Sequence, residues 1–161
     1  MRIKEFIEED FVNYREASMF LGTISCGGKC CIEAGIPLSV CQNDPLRKGC
    51  YLTIPNDTLI ERYLKNPITS SIVFGGLEPF EQYDELLLFI QTLRNKYNCE
   101  DTVIIYTGYN RNEIETMVDE LAQFKNIIIK FGRYVPNDTS HYDEVLGVTL
   151  ASQNQYAERI S

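Results

Sequence analysis

The chain has 161 residues, of which 44% are hydrophobic and 24% are charged. This composition predicts one globular domain, residues 1–161, large enough to bury a core without disulfide bonds. The net charge of −8, with no lysine or arginine run, argues against a general affinity for nucleic acid or for an anionic membrane. The first residues, MRIKEFIEED, contain no apolar leader core, and no run approaches the roughly 18 apolar residues of a membrane span, so a cytoplasmic location is expected.

Short apolar runs predict the buried β-strands of the chain. In chain order they are residues 18–24, 71–74, 102–106 and 126–131, and residues 144–150 are a candidate fifth strand. The first run ends at a cysteine-rich loop, and the next three end at loops that contain glycine.

Three helices are predicted between these strands. One begins at Pro55-Asn56-Asp57 and stops at Asn66-Pro67. Helical spacing of apolar residues marks the second at Leu86, Phe89, Ile90, Leu93 and Tyr97, and the third at Ile114, Met117, Val118 and Leu121. Asn110 and Glu113 resemble a capping pair at the start of the third.

Alternation of strands and helices predicts an α/β fold, with a mainly parallel sheet and helices covering its faces. In such a sheet the loops that follow the strands meet at one carboxyl edge, where open α/β sheets bind ligands. The cysteine loop, GGLEP, TGY and GRY are therefore expected to lie at this edge, with the cysteines facing a pocket.

Four of the six cysteines lie in the stretch CGGKCCIEAGIPLSVC, residues 26–41. In a reducing compartment, clustered cysteines are more often metal ligands or redox groups than structural bridges. Thiolates suit zinc or an iron-sulfur cluster, and the spacing alone leaves both open. The two remaining cysteines, Cys50 and Cys99, are predicted to be small core residues.

Several motifs carry a resemblance to the radical S-adenosylmethionine (radical SAM) superfamily. They are VCQN at residues 40–43, FGGLEPF at 74–80, IYTGY at 105–109, GRY at 132–134 and SQNQ at 152–155. In this order they resemble the small activating proteins of anaerobic ribonucleoside-triphosphate reductase. The resemblance implies that the sheet is the partial barrel of radical SAM proteins. The cysteine spacing is atypical, because Cys-x3-Cys-x10-Cys stands where the superfamily has Cys-x3-Cys-x2-Cys.

The resemblance also implies the ligands of the site. Cys26, Cys30 and Cys41 would hold a [4Fe-4S] cluster, with Cys31 as the alternative to Cys30, and SAM would bind the fourth iron. SAM would be held by Asn43, Gly75, Gly76, Glu78, Pro79 and Thr107, with Glu78 accepting from its ammonium group. No residue of this chain is assigned as a catalytic acid, base or nucleophile. Arg133 is expected to be a solvated or partner-facing charge rather than a SAM ligand.

The implied activity is that of an activase. It would reductively cleave SAM to a 5'-deoxyadenosyl radical and generate a glycyl radical on an anaerobic ribonucleotide reductase or a related glycyl-radical protein. A reduced donor such as flavodoxin would supply the electron. The alternative is a non-catalytic metal- or [4Fe-4S]-binding protein of the same fold, acting in electron transfer or in partner regulation.

Overall fold

The computed structural model describes residues 1–161 and contains ten strands and five α-helices. The strands are β1 (Arg2–Ile3), β2 (Glu5–Asp10), β3 (Ser18–Gly22), β4 (Leu52–Thr53), β5 (Ser71–Gly75), β6 (Thr102–Tyr106), β7 (Ile127–Phe131), β8 (His141–Asp143), β9 (Val148–Leu150) and β10 (Tyr156–Arg159). The helices are α1 (Lys29–Ala34), α2 (Asp44–Lys48), α3 (Asn56–Lys65), α4 (Tyr83–Asn95) and α5 (Glu115–Leu121). None of the five helices combines the length and the apolar character that a membrane-spanning helix requires.

Six strands form the central sheet, in the order β10-β7-β6-β5-β3-β2. The four inner strands, β3, β5, β6 and β7, pair in parallel, with Gly22 opposite Gly75 and Tyr106 opposite Lys130. The edge strands β2 and β10 are antiparallel to their neighbours, and the sheet does not close on itself. The prediction of an α/β fold with a mainly parallel sheet is confirmed.

Helices α3, α4 and α5 pack on one face of this sheet. Phe74 of β5 meets Phe89 of α4 edge to face, with 5.2 Å between ring centroids. Around them lies a core of 22 buried residues, drawn from alternate positions of the four parallel strands and from the apolar stripes of the helices. The three predicted helices are confirmed, as is the capping pair, because Asn110 and Glu113 form a complete capping box.

The opposite face carries no such helices, which corrects the prediction that helices cover both faces. It is covered by Tyr14, from the β2–β3 loop, and by Leu146 and Leu150, which belong to the β8–β9 hairpin. The parallel strands follow one another across the sheet in chain order. Because such crossovers share one hand, the helices that connect them lie on one side. The candidate strand at residues 144–150 is also wrong as part of the central sheet, since only Val148–Leu150 is extended and it pairs with β8 alone.

Candidate functional site

A buried carboxylate lies at the carboxyl edge of the parallel strands. Glu78, which follows β5, is only 6% exposed. Its Oε1 accepts from Thr107 Oγ1 at 2.7 Å and from Phe80 N at 3.2 Å, and its Oε2 accepts from Gly108 N at 2.9 Å. Burial raises the pKa of Glu78, against the opposing effect of these three donors. The edge therefore presents one carboxylate whose orientation is fixed from two neighbouring loops.

The Gly75-Gly76 turn leads from β5 to this carboxylate. Gly76 has a φ of +74°, which disfavours any side chain, and Leu77 N donates to Gly75 O at 2.9 Å across the turn. A Cβ on Gly76 would lie 2.7 Å from the Leu46 side chain of α2. Pro79 begins a 3-10 helix at Pro79–Gln82 and is buried. The two glycines thus allow a tight turn over which α2 packs closely.

The loop between β3 and α1 is tied to the same turn by several hydrogen bonds. Thr23 N donates to Gly75 O at 3.0 Å, and Glu78 N donates to Ser25 O at 2.8 Å. Glu81 accepts from Gly27 N at 2.6 Å and from the Ser25 hydroxyl at 2.7 Å. These bonds place Cys26 beside Glu78.

Cys26 and Cys30 line one pocket at this edge, as predicted for the cysteine loop. The rest of its lining is Lys29, Glu78, Glu81, Gly108 and Tyr109. Gly108 leaves the space that the Cys30 thiol occupies, since a Cβ at position 108 would lie 2.9 Å from Cys30 Sγ. Burial is the main cause that raises the pKa of Cys26 to about 11.

Cys31 and Cys41 form a second thiol pair beside the first. Cys31 is buried on α1, and its pKa is raised mainly by burial and then by the neighbouring Cys41 thiol. Consecutive residues of a helix point about 100° apart, so Cys30 and Cys31 face different sides of α1. No three Cys, His, Asp or Glu side chains converge into a metal-ligating group. The ligand set of Cys26, Cys30 and Cys41, with Cys31 as the alternative, stays a prediction.

The remaining predicted site residues are divided between the edge and its surroundings. Thr107 lies at the centre of the Glu78 network, as described. Asn43 lies just before α2, where its backbone oxygen accepts from Arg47 N at 2.9 Å and its side chain makes no cap. It is absent from the pocket lining. Its SAM contact stays a prediction.

Two predictions about the other cysteines have different outcomes. Cys99 is buried in the main core, as predicted. Cys50 is exposed, so its prediction as a core residue is wrong. It follows the short helix α2 and its Gly49 cap, in the part of the chain between strands β3 and β5 of the central sheet. Neither cysteine lines the pocket with Cys26 and Cys30.

Two cations near the edge were not anticipated in these positions. Arg133 is buried and bonded to the carboxylate of Glu113, with 2.6 Å between Arg133 Nη2 and Glu113 Oε1, which corrects the prediction of a solvated or partner-facing charge. Lys130 of β7 is also buried, and its Nζ donates to Gly132 O at 2.9 Å. Burial lowers the pKa of Lys130 to about 8. A lysine inside the run IIIKF was the available sequence signal for this buried charge.

The SQNQ segment is hydrogen-bonded to the GRY loop and to the residue that follows it. Asn154 Nδ2 donates to Arg133 O at 2.9 Å, and the Ser152 hydroxyl accepts from Val135 N at 2.8 Å. Gly132 has a φ of +96°, and a Cβ there would lie 2.6 Å from Asn154 O. These two sequence motifs therefore form one structural unit at the end of β7.

The donors at this edge suit an iron-sulfur cluster. Four free thiols fall within residues 26–41 of the sequence, and soft sulfur ligands favour iron-sulfur clusters or zinc. The buried cations Lys130 and Arg133 lie near Cys30, where a negative charge favours their protonated forms, although burial still lowers the pKa of Lys130. Positive charge at this position offsets the negative charge of thiolate ligands.

Comparison with known families identifies the type of domain. The family model described as "4Fe-4S single cluster domain" matches residues 39–156, well over half of the chain. This range contains Cys41 and the Glu78 network, and it begins after Cys26, Cys30 and Cys31. No curated protein and no solved structure is similar enough to this chain to count as a match. With its strand-end edge and neighbouring thiols inside or beside the matched range, the chain belongs to the 4Fe-4S single cluster domain family.

Proposed function

We propose that this protein is a radical SAM activase that generates a glycyl radical on a larger anaerobic reductase. The observation that carries this proposal is the meeting of Glu78 with Cys26 and Cys30 in one pocket at the carboxyl edge of the sheet. An iron-sulfur site and an anionic site for an ammonium group are then adjacent, as SAM cleavage requires. In this proposal the open sheet is the partial barrel of radical SAM proteins.

Glu78 has capacity left for a ligand. An ionised carboxylate offers about four lone-pair positions. Oε1 accepts two hydrogen bonds within the protein, while Oε2 accepts one, from Gly108 N. Oε2 is also on the Gly108 side, where Cys30 Sγ lies. We therefore assign Oε2 as the acceptor for the SAM ammonium group.

The other site residues would bind the cluster and SAM and orient them. Cys26, Cys30 and Cys41 would hold the cluster, with Cys31 in place of Cys30 as the alternative. Thr107 fixes the Glu78 carboxylate through its hydroxyl group. Gly75 and Gly76 allow the tight turn that leads to Glu78, and SAM would contact this turn through its backbone groups. Pro79 fixes the start of the 3-10 helix, and Asn43 would contact SAM from the segment that follows Cys41.

When bound, the cluster and SAM supply a one-electron reductive cleavage that yields methionine and a 5'-deoxyadenosyl radical. This radical would take a hydrogen atom from a glycine of the partner, giving 5'-deoxyadenosine and a glycyl radical. The partner would be an anaerobic ribonucleoside-triphosphate reductase or a related glycyl-radical protein. A reduced protein such as flavodoxin would be the electron donor. The pocket is lined by loop residues and by the ends of short helices, which suits the docking of a partner's loop over it.

The test is SAM cleavage by protein that carries its cluster. The protein is purified and reconstituted without oxygen, its iron and sulfide are measured, and 5'-deoxyadenosine is quantified after addition of dithionite and SAM. We expect 5'-deoxyadenosine from wild type and a large loss in Glu78→Gln, because the amide cannot pair with an ammonium as a carboxylate does. Glu100→Gln, which removes an exposed carboxylate paired with Lys125, is the matched control.

A fully loaded cluster without 5'-deoxyadenosine would contradict the activase. That result would favour the alternative of a non-catalytic [4Fe-4S] protein in electron transfer or partner regulation.

A further inference from the structure

Helix α1 carries Cys30 and Cys31 but has little stability of its own. It contains six residues, has no side-chain cap at its amino end, and is flanked by Gly28 and Gly35 in left-handed conformations. Helices this short are marginal in water, since their nucleation is costly and few bonds repay it. Contacts with the rest of the protein must therefore fix the position of α1.

A chain of four charged side chains supplies such contacts. Lys29 pairs with Glu113, Glu113 Oε1 lies 2.6 Å from Arg133 Nη2, and Arg133 Nε lies 2.8 Å from Glu33 Oε2. The last contact is an ion pair without the alignment of a hydrogen bond. Lys29 and Glu33 are four residues apart, so they lie on one face of α1. In the sequence they flank Cys30 and Cys31. We call Lys29, Glu113, Arg133 and Glu33 the ionic clamp.

The sheet side of the ionic clamp is rigid. The Arg133 side chain is only 8% exposed, and its backbone oxygen accepts from Asn154. Glu113 Oε2 accepts from Asn110 N at 2.8 Å within the capping box. The Arg133 guanidinium is the main cause that lowers the pKa of Glu113 to about 2, so the carboxylate is charged at neutral pH. A fixed, charged pair therefore faces the helix.

The α1 side of the ionic clamp is more exposed, because the side chains of Lys29 and Glu33 are 47% and 51% exposed. Lys29 also lies over the Tyr109 ring, 5.3 Å from its centroid. Tyr109 and Gly108 belong to the loop against which the Cys30 thiol rests. The clamp thus connects α1 to the loop after β6, which lines the pocket beside Cys30, and to Arg133 in the loop after β7.

We propose that Arg133 and Glu113 are positioning residues that hold Cys30 in the pocket by fixing α1 at both ends through Lys29 and Glu33. The proposal deepens the proposed function, since it concerns the cysteine predicted to bind the cluster. It explains why a buried arginine and its partner carboxylate stand at the strand ends without belonging to the Glu78 network. Cys30 has this support, while Cys50 lies outside it and is exposed.

The test uses cluster-free protein, so that it does not depend on SAM cleavage. The double variant Lys29→Gln/Glu33→Gln removes both helix contacts and leaves the pair of Arg133 and Glu113 in place. Thiol alkylation by iodoacetamide is followed at each cysteine by mass spectrometry, with exposed Cys50 as the reference for reagent and buried Cys99 as the reporter of unfolding. The matched control is Arg111→Gln/Glu158→Gln, which removes another exposed ion pair, of 3.0 Å.

We expect the alkylation rate of Cys30 relative to Cys50 to rise roughly threefold to tenfold in the clamp variant, the scale set by losing two partly exposed ion pairs. Cys99 should stay protected, and the control should match wild type. After reconstitution, the clamp variant should release iron to a chelator faster than the control by a similar factor.

An unchanged ratio of Cys30 to Cys50 would overturn the proposal. A parallel rise at Cys99 would also overturn it, because the ionic clamp would then support global stability alone. Failure of the activase proposal looks different, since SAM would remain uncleaved by a protein whose Cys30 responds as expected.

Discussion

The strand-end edge around Glu78 and the cysteine segment from Cys26 to Cys50 lie side by side, yet they are built in different ways. At the edge, parallel strands in fixed register bring Glu78, Thr107 and Gly108 together through short, buried hydrogen bonds. In the cysteine segment, the backbone hydrogen bonds of residues 28–49 are made within that stretch, and its helices have only five or six residues. Side chains such as those of the ionic clamp supply its attachment to the sheet.

This difference determines which of the two regions depends on cluster binding for its final arrangement. The edge is preorganised, because the sheet that supports it is the core of the protein. The cysteine segment holds its thiols as two neighbouring pairs rather than as one converged set, so cluster binding must bring them together. Metal binding that orders its own ligands contributes its free energy to folding. We therefore expect mutations at the edge to affect global stability and mutations in the segment to affect cluster content.

The largest expected effect is loss of the cluster on removing a cysteine ligand. Cys26→Ser, Cys30→Ser and Cys41→Ser should each abolish most of the iron and sulfide found after anaerobic reconstitution, because a serine hydroxyl is a poor ligand for iron-sulfur clusters. Cys31→Ser tests the alternative to Cys30. Exposed Cys50→Ser is the matched control and should keep the cluster.

Iron, sulfide and the visible absorption of the cluster are the readouts. If Cys30→Ser keeps its cluster while Cys31→Ser loses it, the ligand is Cys31 and the pocket-lining thiol has another role. Retention of the cluster in all four variants would contradict the assignment of the cysteine segment as its site.

The next effect concerns the stability of the edge. Glu78→Ala leaves the donors of Thr107 and Gly108 without their buried acceptor, which should lower the free energy of unfolding by about 3 kcal/mol. Glu81→Ala, three residues away, removes an exposed carboxylate and should cost less than about 1 kcal/mol. Urea unfolding of the cluster-free proteins compares the two. Equal losses would show that the edge is no more rigidly built than the loop that Glu81 supports.

A smaller, pH-dependent effect is expected at Lys130, on the face of the sheet away from the helices. Its pKa of about 8 in the folded protein is below the ordinary value of 10.5. Below about pH 8, Lys130 is charged in both states, so the free-energy cost of burying its charge is at its maximum. This cost falls as the pH rises from the folded toward the unfolded pKa. Wild type should gain stability relative to Lys130→Met by about 2 kcal/mol between pH 7 and pH 10.

Urea unfolding of both proteins at the two pH values measures this difference, in which the titration of other groups largely cancels. A constant difference across the range would mean that the ammonium of Lys130 reaches water in the folded protein.

The regular core was predictable from sequence, because period and capping residues report local structure. The strand at Thr102–Tyr106 and the helix that begins at Asn56 follow the predicted patterns closely. The edge strands β2 and β10 were missed, since EFIEED and YAER are polar and one side of each is unpaired. The hairpin that covers the second face of the sheet was missed, because an apolar strand does not reveal whether a helix or a hairpin packs on it.

At the site, sequence motifs located the correct loops but not every contact. Glu78 and Thr107 meet because parallel register places their loops together, which the strand pattern implied. Burial of Arg133 was not visible, because its partners Glu33 and Glu113 lie 100 and 20 residues away in the chain. The mutual orientation of Cys30, Cys31 and Cys41 depends on short helices with few pattern residues, so spacing alone did not specify it.

The most direct test of the proposed function is the electron paramagnetic resonance spectrum of the reconstituted, dithionite-reduced protein, recorded with and without SAM. A cluster held by three cysteines has one iron open to a ligand, so SAM should change the g-values and line shape of the signal. The change should require a much higher SAM concentration in Glu78→Gln, and Glu100→Gln should behave as wild type. Spectra of an intact cluster that superimpose with and without SAM would contradict the proposal that this edge binds SAM beside the cluster.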